Sequence, residues 1–554
     1  MKLDLLNLSL NTLGAFVPNQ HQVVKVDENV VDKNILKNYN DLVEKYRKHD
    51  TLKITIATKD KQYLANEIKN KFQGDYEIYV SKFTDFVFLT LNKGWQEKIL
   101  ENLSLILKIK NFYSLNIFPI SKEKVEFSRN IPSKEIFIGL DNEYLQRKRA
   151  YDYVGLTEEK RREFSTGEQN VKLGIYDDGK ISPNPLLFDK EWITNKERFW
   201  WFNNTFGEHA TNVASVAGGY KGVNERIKLY GIKRFNWNGI SQEIEWLMSN
   251  GVKVINMSFG LGPGNKYNEY ANYLDQLQNN KNNEVTIVTS AGNDAIYKEK
   301  DHNLQQNKLS YNSIVVGALD HNDFSKVASY SNYGSFSGGK SVTLSTPVPI
   351  LSGTSFSSPL VAGVIASLMN KKEQIYKKGL DNLISLSALS SSSTQQDEID
   401  EKMGAGVLNI PNLEKSLDNL KYIEFKGSDD HLMSQDKIVT HSVYLKKGQK
   451  LKAALAWNFK NEFEQDSHWY NLWIPTNNIE KPIVHDFDLY IESEVDQNIR
   501  SSSTSSNKNI EVASLYATKD GWYDIKVKQY KKMSRNQSYD LAISYSIQYV
   551  GKYE

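Results

Sequence analysis

The 554-residue chain contains no cysteine. That absence removes disulfides, thiol nucleophiles and thiolate metal sites together. No apolar run approaches the ~20 residues that a membrane-crossing helix needs, so no membrane span is expected. Charge of one sign is not in excess. The 69 Lys and Arg against 67 Asp and Glu leave a net +2, which gives no general case for nucleic acid or an anionic surface as a partner. A clean signal peptide is missing as well. "MKLDLLNLSLNTLGAF", Met1 to Phe16, sets leucines behind a basic residue, but Asp4, Asn7 and Asn11 interrupt them. Alanine is scarce while Asn and Lys abound, a bias of genome composition rather than of chemistry. The residues present are 40% hydrophobic, 12% aromatic and 25% charged, the composition of a soluble globular protein. The length exceeds one compact core, so two to four domains are expected.

The first unit is expected within residues 1–120. From residue 51 onward "LKITIAT", "YEIYVSKF", "DFVFLTLN" and "FYSLNIFPI" read as strands. "KQYLANEIKNKF", with Leu64, Ile68 and Phe72 on one face, and an amphipathic stretch beginning at Trp95 read as helices. The order β-α-β-β-α-β predicts a ferredoxin-like α+β unit. Residues 121–170 are polar and irregular, with basic clusters at Arg147, Lys148, Arg149 and at Lys160, Arg161, Arg162. They read as a solvated linker leading into the next domain.

From 171 to 419, short apolar runs such as "VKLGIYD", "VKVINMSFG", "VTIVTSAGN" and "SIVVGAL" alternate with helical stretches such as "GISQEIEWLMSN" and "LVAGVIASLM". This alternation predicts an α/β domain on a mainly parallel sheet, where function collects at the carboxyl edge of the strands. Across 420–554 the helical period stops and alternating strands take over. In "GWYDIKVKQY", Tyr523, Ile525 and Val527 face one way and Asp524, Lys526 and Lys528 the other. A C-terminal all-β sandwich or jelly roll is expected there.

Within the α/β domain, "SGTSFSSP" (Ser352 to Pro359) sets hydroxyls directly before a small-residue apolar helix. Ser and Thr are common helix caps, but a serine at a helix N-terminus also sits where N–H groups favour negative charge. A serine nucleophile needs a base, an anion to orient that base, and a donor aimed at the oxyanion. "GEHATNVASVAGG" offers His209, "LGIYDDG" offers Asp177 at a strand end, and "VTIVTSAGN" ends in Gly292 and Asn293. Each could be a turn or a structural residue alone. Together they supply one group for every role.

These segments resemble the subtilases, the subtilisin-like serine peptidases. The chain order Asp177, His209, Ser355 matches that family's order. "SGTSFSSPLVAG" is similar to its Gly-Thr-Ser-x-x-x-Pro nucleophile motif, and "IYDDG" to its aspartate motif, with Asp178 more like the kexin branch. "EHATNVAS" resembles the histidine motif with Ala210, Asn212 and Ser215 in place of Gly, His and Gly. "RIKLYGIK", "ASYSNYG" and "GAGVLN" fall in the family's order too.

The resemblance implies a serine endopeptidase with Ser355 as nucleophile, His209 as base, Asp177 as orienting acid and Asn293 as oxyanion donor. It implies that Ser258, Phe259 and Gly260 form an edge strand for an extended substrate, and that Gly292 lines the pocket for the residue before the cut. No cofactor is implied for the chemistry. A structural calcium would find hard oxygen ligands at Asp486 and Asp488, on one strand face. The implied partner is a protein or peptide substrate, with no nucleic acid, acting as a monomer outside the cell or at its surface. The N-terminal unit resembles a prodomain, and the C-terminal region the jelly roll of some bacterial subtilases. Two other readings stand beside this one. A catalytically weakened binding protein would use the aromatic insertions "FWWFNNTF" (Phe199 to Phe206) and "HWYNLWIP" (His468 to Pro475). A narrow processing protease would differ in pocket detail, where Glu299 and Asp301 favour a basic residue.

Overall fold

The computed structural model describes residues 46, 49–108, 112–119, 140–196, 205–234, 240–262, 264, 266–296, 302–334, 339–377, 379–426, 439–461, 484–496, 498–529 and 538–549. In the first unit β1 (Leu52–Thr58), α1 (Lys61–Lys71), β2 (Tyr76–Val80), β3 (Phe86–Leu91), α2 (Ile99–Lys108) and β4 (Phe112–Pro119) follow the expected sequence. They make one antiparallel sheet of order β2-β3-β1-β4. Strand alternation gives the sheet two apolar faces. Ile54, Ile56, Val87 and Leu89 pack under Leu64, Ile68, Ile99 and Leu103. Phe86 and Phe88 face the neighbouring domain.

Next come α3 (Leu140–Tyr153) and α4 (Glu158–Phe164), where a solvated linker is expected. This is a correction. Val154, Leu156 and Phe164 are buried in the core of the following domain. Within the basic clusters Arg147 and Arg161 turn inward, while Lys148 and Arg162 stay exposed. Arg147 Nη1 donates to Ser215 O (3.0 Å) and Arg161 Nε to Gly222 O (2.6 Å). Long apolar stems and a planar fork let arginine satisfy carbonyls while its stem stays packed, so charge density alone misreads such a segment.

The central sheet is parallel. It comprises β5 (Lys172–Asp177), β6 (Ile193–Asn195), β7 (Lys228–Lys233), β8 (Val252–Met257), β9 (Thr286–Ser290), β10 (Ile314–Ala318) and β11 (Leu344–Thr346) in the order β11-β10-β9-β8-β5-β7-β6. Its helices are α5 (Glu208–Ala217), α6 (Ile240–Ser249), α7 (Glu269–Gln278), α8 (Thr354–Lys371), α9 (Asp381–Ser392) and α10 (Ile410–Asp418). The chain winds one way from β5 to β6 and the other from β8 to β11, so the topological switch lies between β5 and β8, the place where α/β sheets open a binding crevice. Gly363 of α8 packs so near α5 that a Cβ there would stand 2.8 Å from Ala217 O. The small residues of "LVAGVIASLM" therefore bring the two helices that carry His209 and Ser355 together.

Beyond α10, β12 (Lys421–Lys426), β13 (Val439–Leu445), β14 (Gln449–Trp457), β15 (Phe487–Ser493), β16 (Arg500–Ser503), β17 (Ile510–Tyr516), β18 (Gly521–Gln529) and β19 (Ser538–Tyr549) form two antiparallel sheets. Their orders are β12-β19-β14-β17 and β13-β18-β15-β16. α9 is buried along its whole length, with Ser387 Oγ bonded to Ala454 O of β14 (3.1 Å). Lys452 reaches back from β14 to donate to Ser393 O, Gln396 O and Ala405 O at 2.8, 3.0 and 2.6 Å. Burial lowers its pKa to about 7.

The N-terminal sheet docks on α6 and α7. Glu245 accepts from Tyr79 OH (2.6 Å), Ser81 Oγ (2.6 Å) and Lys82 N (2.8 Å) of that unit, and from Tyr273 OH (3.1 Å) of α7. No helix among the described residues is long and apolar enough to cross a membrane.

Candidate active site

Four expected residues converge at the carboxyl edge of the sheet. Asp177 is the last residue of β5 and fully buried, and His209 lies in the first turn of α5. His209 Nδ1 stands 2.6 Å from Asp177 Oδ1. A carboxylate only accepts, so this bond fixes the proton on Nδ1 and leaves Nε2 as the basic nitrogen. Burial works against a charged imidazole. The Asp177 charge and hydrogen bond, with Asp178 behind them, outweigh it, so the His209 pKa lies above its ordinary 6.5.

Asp178 has a role that the sequence did not disclose. α5 opens on Gly207, which has no side chain to cap it. Asp178 Oδ1 accepts from Ala210 N (2.9 Å) instead, an acid from the adjoining strand end doing the work of an N-cap. A Cβ at Gly207 would fall 2.0 Å from that oxygen, so glycine is needed there for the carboxylate to approach. The same bond orients the turn that carries His209.

Ser355 is the second residue of α8 and 2% exposed. Its backbone N–H belongs to the first turn, which has no acceptor within the helix. The ring of His209 packs against the next residue, Phe356, with centroids 5.5 Å apart. In this structure the Ser355 hydroxyl donates to Ser258 O (3.2 Å). Pro359 stands inside α8 and lacks the N–H that would bond the carbonyl four residues back, that of Ser355. Ser258 Oγ makes good the loss at 2.8 Å. The proline of the motif thus frees a carbonyl, and Ser258 holds it.

Asn293 is locked by Thr354. Thr354 N and Thr354 Oγ1 both lie 2.9 Å from Asn293 Oδ1. A backbone N–H can only donate, so the amide oxygen is identified and the NH2 is the end left to donate elsewhere. Gly292, at φ +114°, gives its N–H to Thr354 Oγ1 (3.0 Å). Asn332, quoted above only within "ASYSNYG", pins the same loop. Its Oδ1 accepts from Asp294 N (2.7 Å) and Ala295 N (3.1 Å).

β8 ends at Met257, and Ser258, Phe259 and Gly260 continue beyond it without a regular strand. Ser258 faces α8. Phe259 is buried with its ring 5.1 Å from that of Tyr176, and its carbonyl accepts from Asn307 Nδ2 (3.2 Å). Their side chains therefore hold the crevice wall, because the sequence buries a hydroxyl and a ring there. Asp488 Oδ2 accepts from Tyr490 OH (2.9 Å). Among the described residues, the one cluster of three metal-ligating side chains is Asp177, Asp178 and His209, which is this site. Residues 199–204 and 468–475 of the aromatic insertions, and Glu299 and Asp301, lie outside the described residues.

The family description "Peptidase_S8: Subtilase family" matches residues 168–406. Subtilisin DY from Bacillus licheniformis is 29% identical over 242 residues, 40% of this chain and 84% of that protein. Alkaline elastase YaB from Bacillus sp. (strain YaB) is 27% identical over 220 residues, 36% of this chain and 53% of that protein, so the chain spans about half of that relative's length. The solved structure of the prenylagaramide maturation protease PagA is 23% identical, with 48% of this chain and 98% of that one covered and a TM-score of 0.37. The family match covers the segment that holds Asp177, His209, Asn293 and Ser355. Residues 168–406 of the chain are thus a segment similar to the subtilase family.

Proposed function

We propose that the chain is a serine endopeptidase in which Ser355 Oγ attacks the scissile carbonyl. His209 Nε2 takes the hydroxyl proton as the new C–O bond forms, then delivers it to the leaving amine as the C–N bond breaks. Water repeats the sequence to free the acyl group and regenerate the serine. Asp177 holds the ring and balances the imidazolium. Asn293 Nδ2 and the Ser355 N–H stabilise the oxyanion. The observation that carries this reading is the 2.6 Å bond between His209 and Asp177, with the ring packed beside the start of α8. The chemistry calls on no metal or cofactor, and the partner is a protein or peptide substrate met outside the cell or at its surface by a monomer.

The flanking units extend the reading. The Glu245 contacts fit a prodomain seated on the enzyme's surface helices. The C-terminal strand order, numbered one to eight, is 1-8-3-6 over 2-7-4-5, the arrangement of a jelly roll. The test is labelling with a fluorophosphonate followed by peptide mapping. Modification of Ser355, absent from the folded Ser355→Ala protein, is the expected result. An unmodified Ser355 in a folded protein that also cleaves no peptide would overturn it.

A further inference from the structure

The resemblance implies a crevice walled by Ser258–Gly260 on one side and by Gly292 and its neighbours on the other. Gln305 touches the first at Gly260 and bonds to Asp294 beside the second. Gln306 N bonds to Gly262 O (3.3 Å), and Asn307 Nδ2 to Phe259 O (3.2 Å), which holds the segment around Gln305 along the first wall. A Cβ at Gly260 would stand 1.5 Å from Gln305 Oε1. A Cβ at Gly292 would stand 3.3 Å from Lys308 Nζ. Both glycines are thus faced by side chains from one short stretch of chain: Gln305 takes up the space beside Gly260, and Lys308 stands beside Gly292.

The orientation of that amide is fixed. Gln305 Nε2 donates to Asp294 Oδ2 (2.9 Å), and a carboxylate cannot donate back, so the NH2 faces Asp294 and Oε1 faces Gly260. Gln305 is only 5% exposed, and among the described residues no donor reaches Oε1. A buried acceptor without a partner is a standing cost to the fold. At the floor of a binding crevice it is relieved by a ligand that brings a donor. A site built to hydrogen-bond its substrate rejects analogues that lack the group more strongly than a site that reads size alone.

We propose that Gln305 selects the substrate. Its side chain shortens the pocket for the residue before the cut, excluding large apolar and aromatic side chains, and its Oε1 receives a short residue that carries a donor, namely Ser, Thr or Asn. The inference rests on the endopeptidase reading above and adds the class of peptide that fits. It follows from the glutamine in this chain, since a smaller residue at 305 would leave the same walls around an open pocket.

The experiment profiles cleavage by the full chain on matched peptides with Ser, Asn, Ala, Leu or Phe before the cut. Wild type is expected to favour Ser and Asn over Ala, and to cut Phe and Leu least. Gln305→Ala should raise kcat/KM for Phe relative to Ser by about 10- to 100-fold, the range that pocket size commands. Gln305→Leu keeps the bulk and removes the acceptor, so it should still exclude Phe while losing the preference for Ser over Ala. Wild type favouring Phe or Leu, or a profile unmoved by both substitutions in folded protein, would overturn the assignment while leaving the protease intact. No cleavage of any peptide, with Ser355 unlabelled, would overturn the endopeptidase reading and this inference with it.

Discussion

Ser258→Ala, made alone and together with Pro359→Ala, tests whether the motif proline and a buried hydroxyl form one device. In the wild-type chain Ser258 Oγ bonds to Ser355 O (2.8 Å), the carbonyl that Pro359 leaves without a helical donor. The substitution strands that buried acceptor, at about 1–3 kcal/mol. It also removes the acceptor for Asn256 Nδ2 (2.9 Å) and the contact with Ser358 Oγ (2.9 Å). Pro359→Ala restores an N–H four residues after Ser355. In that background Ser258→Ala loses the Asn256 and Ser358 contacts but no longer strands the carbonyl. The two substitutions should therefore be coupled by about 1–3 kcal/mol, the cost of the stranded acceptor.

The coupling can be read in two ways. Thermal unfolding of the catalytic domain should shift by about 2–4 °C per kcal/mol for a unit of this size. The rate of fluorophosphonate modification reports the same geometry at Ser355, because the carbonyl that Ser258 holds belongs to the nucleophile itself. Coupling energy within ~0.3–0.5 kcal/mol of zero is what independent sites give. That result would refute the idea that Ser258 exists to replace the missing N–H.

Asn293→Ala should lower kcat by about 10²–10³-fold, the order known for removing this donor in subtilisin itself, with little change in KM. A loss confined to KM would make Asn293 a ground-state contact. For pH, the base must be neutral, so kcat/KM should rise through a midpoint above 6.5, because Asp177 and Asp178 hold the His209 pKa above that value. Asp177→Asn removes a charge that favours the protonated ring, so its residual activity should rise at lower pH. A wild-type midpoint at or below 6.5 would contradict the assignment. The purified chain is expected to shed its N-terminal unit by a cut between Ser121 and Gly139, since α3 and α4 are packed into the catalytic domain and closed to a protease. Ser355→Ala protein should remain whole, and N-terminal sequencing of both reads the outcome.

The parts of the fold that were legible are those with short-range period. Alternation announced β18, and apolar runs ending in Asp177 and Asn293 announced the carboxyl edge where the site lies. α3 and α4 were hidden because their burial depends on where arginine forks end, on Ser215 O and Gly222 O, and no local pattern records that. A string of basic residues looks the same whether its charges reach water or distant carbonyls.

The site shows the same division more sharply. The motif around Ser355 identified a nucleophile, and nothing in it said what the proline does to the carbonyl of that serine. Ser258 is expected, by resemblance, to pair with substrate through its backbone, which leaves its side chain free for other work. Its hydroxyl turns inward, since a buried orphan carbonyl is a stronger demand than an exposed wall. Asp178, likewise, caps α5 because Gly207 cannot. In each case the residue that completes the site answers a vacancy left by another: a proline without its N–H, a glycine without a side chain. Such pairs lie roughly thirty to a hundred residues apart, close only once the sheet has brought its carboxyl edges together. Single-residue substitutions at Ser258 and Asp178 should therefore resemble damage to His209 and Ser355 in kinetics, while their cure lies at the partner that created the vacancy.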